Sequence, residues 1–115
     1  MKHNHMKHVL FTLYDCNSNL LNDEEYIRQL LYDTTHVMGA TFINTHIHKF
    51  EPQGVTAVTL LAESHISIHT WPEDGMAVCD VFTCGDANPK RGAIYMGLKL
   101  KAKDYTAQII DRDKT

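Results

Sequence analysis

The chain has 115 residues and a mass of 13.1 kDa, one domain's worth of sequence, with 43% apolar and 22% charged residues. That balance fills a core and excludes a disordered tail, while six glycines and three prolines exclude collagen-like and low-complexity classes. A formal net charge of −3 leaves no footprint for a nucleic acid, no run reaches the roughly 20 apolar residues of a membrane span, and the opening MKHNHMKH lacks the apolar stretch of a secretion signal. Three cysteines, an odd number, fit reduced thiols in a cytoplasm better than a disulfide framework.

Residues 8–15 (HVLFTLYD) are rich in β-formers and predict a strand, and Cys16-Asn17-Ser18-Asn19 reads as a loop. A helix follows, with Asn22 as N-cap and Glu25 three residues on as a capping-box acid. Asp23, Glu24 and Glu25 complement its N-terminal dipole. Ile27, Leu30, Leu31, Thr34 and Met38 form its apolar stripe, and Gly39 is placed to end it. Residues 41–51 alternate as a strand, Pro52-Gln53-Gly54 turns the chain, and residues 55–62, 64–71 and 76–83 read as three more strands. A tight turn at Pro72-Glu73-Asp74-Gly75 joins the last two. Asn88 and Pro89 look like the N-cap and first residue of a second helix running to about residue 100, with a weaker stripe at Ala93, Gly97 and Leu98. Residues 105–110 close with a strand. The order β-α-β-β-β-β-α-β predicts one α+β domain, a two-layer sandwich of an antiparallel sheet with two helices on one face. Phosphate-binding glycine loops and the G-x-S-x-G elbow are absent.

Chemistry concentrates between residues 45 and 84. In a strand, His65, Ser67, His69 and Trp71 share one face, while Ser64, Ile66, Ile68 and Thr70 share the other. The isoleucines claim the core, so the polar face must meet water or line a site. Singly, each residue has a plainer reading: a strand serine, a solvated histidine, a buried cysteine acting as a small hydrophobe, or an aromatic in a core or interface.

Together they read differently. LAESHISIHTWPE at residues 61–73, followed by DVFTCG at 80–85, resembles the S-adenosylmethionine decarboxylase proenzymes of prokaryotic type. HVLFTLYD, the helix after Asn22, HKFEPQGVTAV and the helix after Asn88-Pro89 fall in the same order as in that family, so the resemblance spans about residues 8–112. It implies self-cleavage between Glu63 and Ser64 into chains 1–63 and 64–115, with Ser64 becoming a pyruvoyl group whose ketone condenses with the substrate amine as a Schiff base. Both chains supply strands to one sheet and so stay associated. By the same resemblance, His69 is the processing base, Thr56 a hydroxyl assisting processing and Cys84 the donor that reprotonates the product carbon. Phe50 stacks on adenine beside Trp71, and Glu73 holds the ribose hydroxyls. Cys16 and Cys79 receive no role. The implied partners are S-adenosylmethionine and a second copy of the chain in a homodimer, and the implied product serves spermidine synthesis. No metal is implied. Two other readings stand beside this one: a metal-binding enzyme or module using His46, His48, His65 and His69, and an unprocessed, non-catalytic relative.

Overall fold

The computed structural model describes residues 5–113. In chain order it contains β1 (Lys7–Tyr14), α1 (Ser18–Leu21), α2 (Glu24–Met38), β2 (Phe42–Lys49), β3 (Val55–Leu61), β4 (Ser64–Trp71), a 3-10 turn (Pro72–Asp74), β5 (Met76–Thr83), α3 (Pro89–Lys99) and β6 (Asp104–Asp111). The strands form one sheet in the order β2-β3-β4-β5-β1-β6, with every neighbouring pair antiparallel. Both long helices pack on the same face, so the expected α+β two-layer sandwich is present.

The core is built by alternation. Val9, Phe11 and Leu13 of β1, Ile66 and Ile68 of β4, and Ala77, Cys79 and Val81 of β5 face Ile27, Leu31 and Met38 of α2 and Met96 of α3. Each fully buried aliphatic side chain there contributes about 1.5–3 kcal/mol. Thr34 and Thr35 are also buried, and each donates its hydroxyl to a carbonyl one turn back, at 2.7 and 2.9 Å, so neither is left unpaired.

Three local expectations need correction. The segment expected as a loop after Cys16 holds α1, whose N-cap Asn17 accepts the Leu20 N–H. The N-cap of α2 is Asp23, which accepts the Tyr26 N–H at 3.0 Å. Asn22 accepts the Gly54 N–H at 2.9 Å instead, tying the helix entry to the β2–β3 turn, so the Asn22–Glu25 capping box does not form. The buried stripe of α3 is Gly92, Met96 and Leu100, with Leu98 71% exposed. A Cβ on Gly92 would lie 2.4 Å from Met38 Sδ, so this glycine sets how closely α3 approaches α2. As expected, Gly39 ends α2 with φ +77°.

The helices leave two apolar surfaces uncovered. Among the described residues no helix overlies β6, and Ile94, Leu98, Tyr105 and Ile109 border a cleft of about 530 Å³ on the helix side. On the opposite side of the sheet no helix of the described residues packs, and Leu10, Leu60, Trp71 and Val78 are each 37–41% exposed.

Candidate functional site

The Glu63–Ser64 bond lies in the β3–β4 hairpin. Leu61 pairs with Ser64 across a two-residue loop, Ala62-Glu63. Glu63 has φ +62°, the left-handed region that costs a side-chain-bearing residue roughly 1–2 kcal/mol. The loop is held from outside by the Ala62 N–H, which donates to the Thr41 carbonyl at 3.0 Å. Toward β5 the register pairs His65 with Phe82, so the next step places Ser64 opposite Thr83 and brings Cys84 beside the loop. Ser64 and Thr83 share the helix-side face of the sheet. Thr83 Oγ1 is buried without a hydrogen-bond partner among the described residues, a state that costs about 1–3 kcal/mol.

His69 and Thr56 sit elsewhere. They are cross-strand partners, with Thr56 Oγ1 and His69 Nδ1 3.1 Å apart. His48 is the next residue in the same row. The Trp71 ring is tilted 6.4 Å from that of His69, and Phe50 lies edge-on to His48 at 4.6 Å. Glu73 is exposed in the 3-10 turn beyond Trp71. The expected site residues thus fall into two groups: Glu63, Ser64 and Cys84 at one end of β4, and His69, Thr56, Trp71, Phe50 and Glu73 at the other. Five residues of strand at about 3.3 Å each separate Ser64 from His69 by ~16 Å. Within one chain, the imidazole does not reach the serine.

Between the two ends lies a cluster that the sequence did not reveal. His8 Nε2 and His65 Nε2 stand 2.6 and 2.7 Å from the same oxygen, Asp80 Oδ2, and Ser67 Oγ donates to Oδ1. Arg112 donates to His8 Nδ1 at 3.0 Å. Burial alone would raise the Asp80 carboxyl, but hydrogen bonds from His65, Ser67 and His8 outweigh it and hold the group well below the usual carboxylate range. His65 is raised by its hydrogen bond to Asp80, against the effect of burial. The three groups stand close enough to suggest a metal site. A metal on His8 Nε2 needs Nδ1–H turned toward an acceptor. Here Nδ1 accepts from a guanidinium, which only donates, so Nε2 carries the hydrogen and points it at Asp80. The donor set is that of a hydrogen-bonded network. His46, His48, His65 and His69 do not converge. Cys16 and Cys79 are buried, and burial pushes the Cys16 thiol up to about 11 and the Cys79 thiol well above its ordinary value.

A family model described as S-adenosylmethionine decarboxylase matches residues 7–113. The chain belongs to the S-adenosylmethionine decarboxylase family. It is 48% identical over 107 residues to an S-adenosylmethionine decarboxylase proenzyme of Clostridium tetani, across 92% of this chain and 85% of that one. It is 46% identical over 108 residues to one of Prochlorococcus marinus, across 93% and 86%. Its fold superposes on the crystal structure of the adenosylmethionine decarboxylase of Aquifex aeolicus with a TM-score of 0.90 at 37% identity, covering 99% of this chain and 95% of that one. A Trypanosoma brucei AdoMetDC monomer shares the fold at 15% identity and a TM-score of 0.65, over 90% of this chain and 45% of that one. The chain is therefore a member of an enzyme family, and its sheet and helices follow that family's architecture. No helix among the described residues is long and apolar enough to cross a membrane.

Proposed function

We propose that this chain is a proenzyme that cuts itself between Glu63 and Ser64 into chains 1–63 and 64–115 and then decarboxylates S-adenosylmethionine with a pyruvoyl group at residue 64. The observation that carries the reading is the placement of that bond: a hairpin loop with a left-handed glutamate, next to Cys84 and opposite a buried, unpaired hydroxyl. An oxygen-bearing residue 64 fits this position, because Thr83 Oγ1 shares its face and has no hydrogen-bond partner among the described residues.

In the first stage, Ser64 Oγ attacks the Glu63 carbonyl carbon, and the C–N bond breaks as an ester forms. Loss of the Ser64 Cα proton then expels the ester oxygen as the Glu63 carboxylate. Hydrolysis of the resulting dehydroalanine releases ammonia. In this reading the unpaired Thr83 hydroxyl, on the same face, would turn to donate to the departing Ser64 Oγ. A pyruvoyl group supplies a carbonyl that accepts electrons as carbon dioxide leaves a bound amino acid. The Cys84 thiol returns a proton to that substrate carbon. Phe50 and Trp71 offer aromatic faces to the sulfonium and adenine, and Glu73 offers a carboxylate to the ribose.

His69 and Thr56 act across a homodimer in this reading. The bare sheet face exposes Leu10, Leu60, Trp71 and Val78, which a second copy would cover. Two copies laid face to face about a two-fold axis would bring the His69 end of one beside the Glu63–Ser64 loop at the sheet end of the other, shortening the ~16 Å that separates them in one chain. The reduced cysteines suit a cytoplasmic enzyme, and its product suits aminopropyl transfer in spermidine synthesis.

Intact mass spectrometry tests the proposal. Purified protein should give two fragments, with the 64–115 chain lacking a free amine and about 17 Da lighter than its serine form, because a ketone replaces the amine. A single uncut species that still releases carbon dioxide from S-adenosylmethionine, and is insensitive to borohydride, would overturn it.

A further inference from the structure

We infer that Asp80, acting through His65, is the positioning residue that keeps residue 64 in place once the Glu63–Ser64 bond has broken; the inference rests on the self-cleavage proposed above. In the intact chain, residue 64 is gripped by its bond to Glu63 and by its pairing with Leu61 of β3. After scission it heads a new chain, and terminal residues fray unless they are tied down. Toward β5, the cross-strand pairing begins one residue later, at His65 opposite Phe82. His65 is thus the first residue beyond the cut that is held on both sides.

Its side chain is held as well. Nε2 lies 2.7 Å from Asp80 Oδ2, and the ring stacks on Phe82 and meets His8 edge-on, both at 6.0 Å between centroids. Asp80 is fixed in turn by Ser67 and His8, and Arg112 fixes the His8 tautomer. These bonds link β4 to β5 and β1, with Arg112 just past the end of β6, and none crosses the severed hairpin. Scission therefore leaves the tether whole, and bonds to an ionised carboxylate are the stronger kind. Because successive side chains alternate across a strand, locking His65 on the bare face fixes the backbone direction at residue 64. A reacting group displaced by an ångström loses about 100-fold in rate.

The test compares the wild-type protein with Asp80→Asn, His65→Ala and His65→Gln, whose amide nitrogen can stand in for Nε2. Each is assayed for cleavage by intact mass, for amide hydrogen exchange at residues 65–67 of the 64–115 chain, and for kcat and KM with S-adenosylmethionine. All four should cleave. Asp80→Asn and His65→Ala should speed exchange at that end about 10-fold without changing β5. Their kcat should fall about 10- to 100-fold while KM changes little. His65→Gln should recover most of both. Wild-type-like exchange and kcat in Asp80→Asn and His65→Ala would overturn the inference and leave self-cleavage standing. Failure of both variants to cleave would also overturn it, assigning the cluster to the stage before the cut. An uncut wild-type protein would bring down both readings.

Discussion

The two ends of β4 are held in different ways. At the Ser64 end, the backbone is bent into a strained loop, the neighbouring His65 is bonded to a carboxylate with three donors, and a buried hydroxyl waits opposite. At the His69 end, the imidazole is exposed and its hydrogen bond is to Thr56 at 3.1 Å. The first end is organised by the chain's own core. The second displays its groups outward, as a surface does that completes its contacts elsewhere. The contrast teaches that a compact motif in sequence, S-H-x-S-x-H, is spread by an extended strand over two separate environments.

The sharpest break of this contrast is a pair of inactive variants. Ser64→Ala should abolish cleavage and decarboxylation outright. His69→Ala should also stay uncut, yet when co-expressed with Ser64→Ala its own chain should be cut, because the partner supplies the imidazole. Mass spectrometry of the mixed preparation reads this directly, and an uncut His69→Ala chain in confirmed mixed dimers would show that His69 acts within its own chain. Next in size, Cys84→Ala should cleave at the normal rate but turn over about 100-fold more slowly, the scale of a lost acid catalyst.

Thr83→Val keeps the shape of the side chain and removes the hydroxyl. It should slow cleavage about 10-fold while raising thermal stability slightly, since an unpaired buried donor is lost. Gly92→Ala tests the helix side alone: overpacking against Met38 should cost about 1–3 kcal/mol and lower Tm, with cleavage retained. The smallest effect expected is on pH-dependent stability. His65 is raised in the folded protein, so its contribution is complete below the ordinary histidine value near ~6.5 and is lost as pH rises through its folded value. Asp80 is depressed, so its contribution is complete above the ordinary aspartate value near ~3.9 and is lost as pH falls through its folded value. Asp80→Asn should flatten both flanks of a Tm-versus-pH curve; an unchanged curve would remove the cluster from the account.

Much of this was legible in the chain. The 3.6-residue spacing of Ile27, Leu30, Leu31, Thr34 and Met38 marked α2, and alternation in residues 64–71 sorted the two faces of β4 correctly. The motif residues pointed to the family. What escaped depended on contacts distant in sequence. The α3 stripe is hard to see in the sequence because its close-contact residue is a glycine, which carries no hydrophobic signal, and only Met38 of another helix explains it. Asn22 has the side chain of a cap, and only Gly54, far along the chain, shows that its oxygen is committed elsewhere. The Asp80 cluster stayed hidden because it needs β1 beside β5, a neighbour relation that no local pattern encodes. His69 was close to Ser64 in number, and extended backbone turned that closeness into distance.

The two-residue loop between β3 and β4 has one last consequence. While it is intact, those strands find each other at almost no cost in loop closure. Cutting it would give each fragment three strands, β1, β2 and β3 to chain 1–63 and β4, β5 and β6 to chain 64–115, but not as two blocks: β1 of the first lies between β5 and β6 of the second. The fragments would be interlaced like folded hands. Folding is then a journey made before maturation and not easily repeated: after full denaturation, recovery of the cut protein should become second order in concentration, while an uncleavable Ser64→Ala chain should regain its fold at a rate independent of dilution.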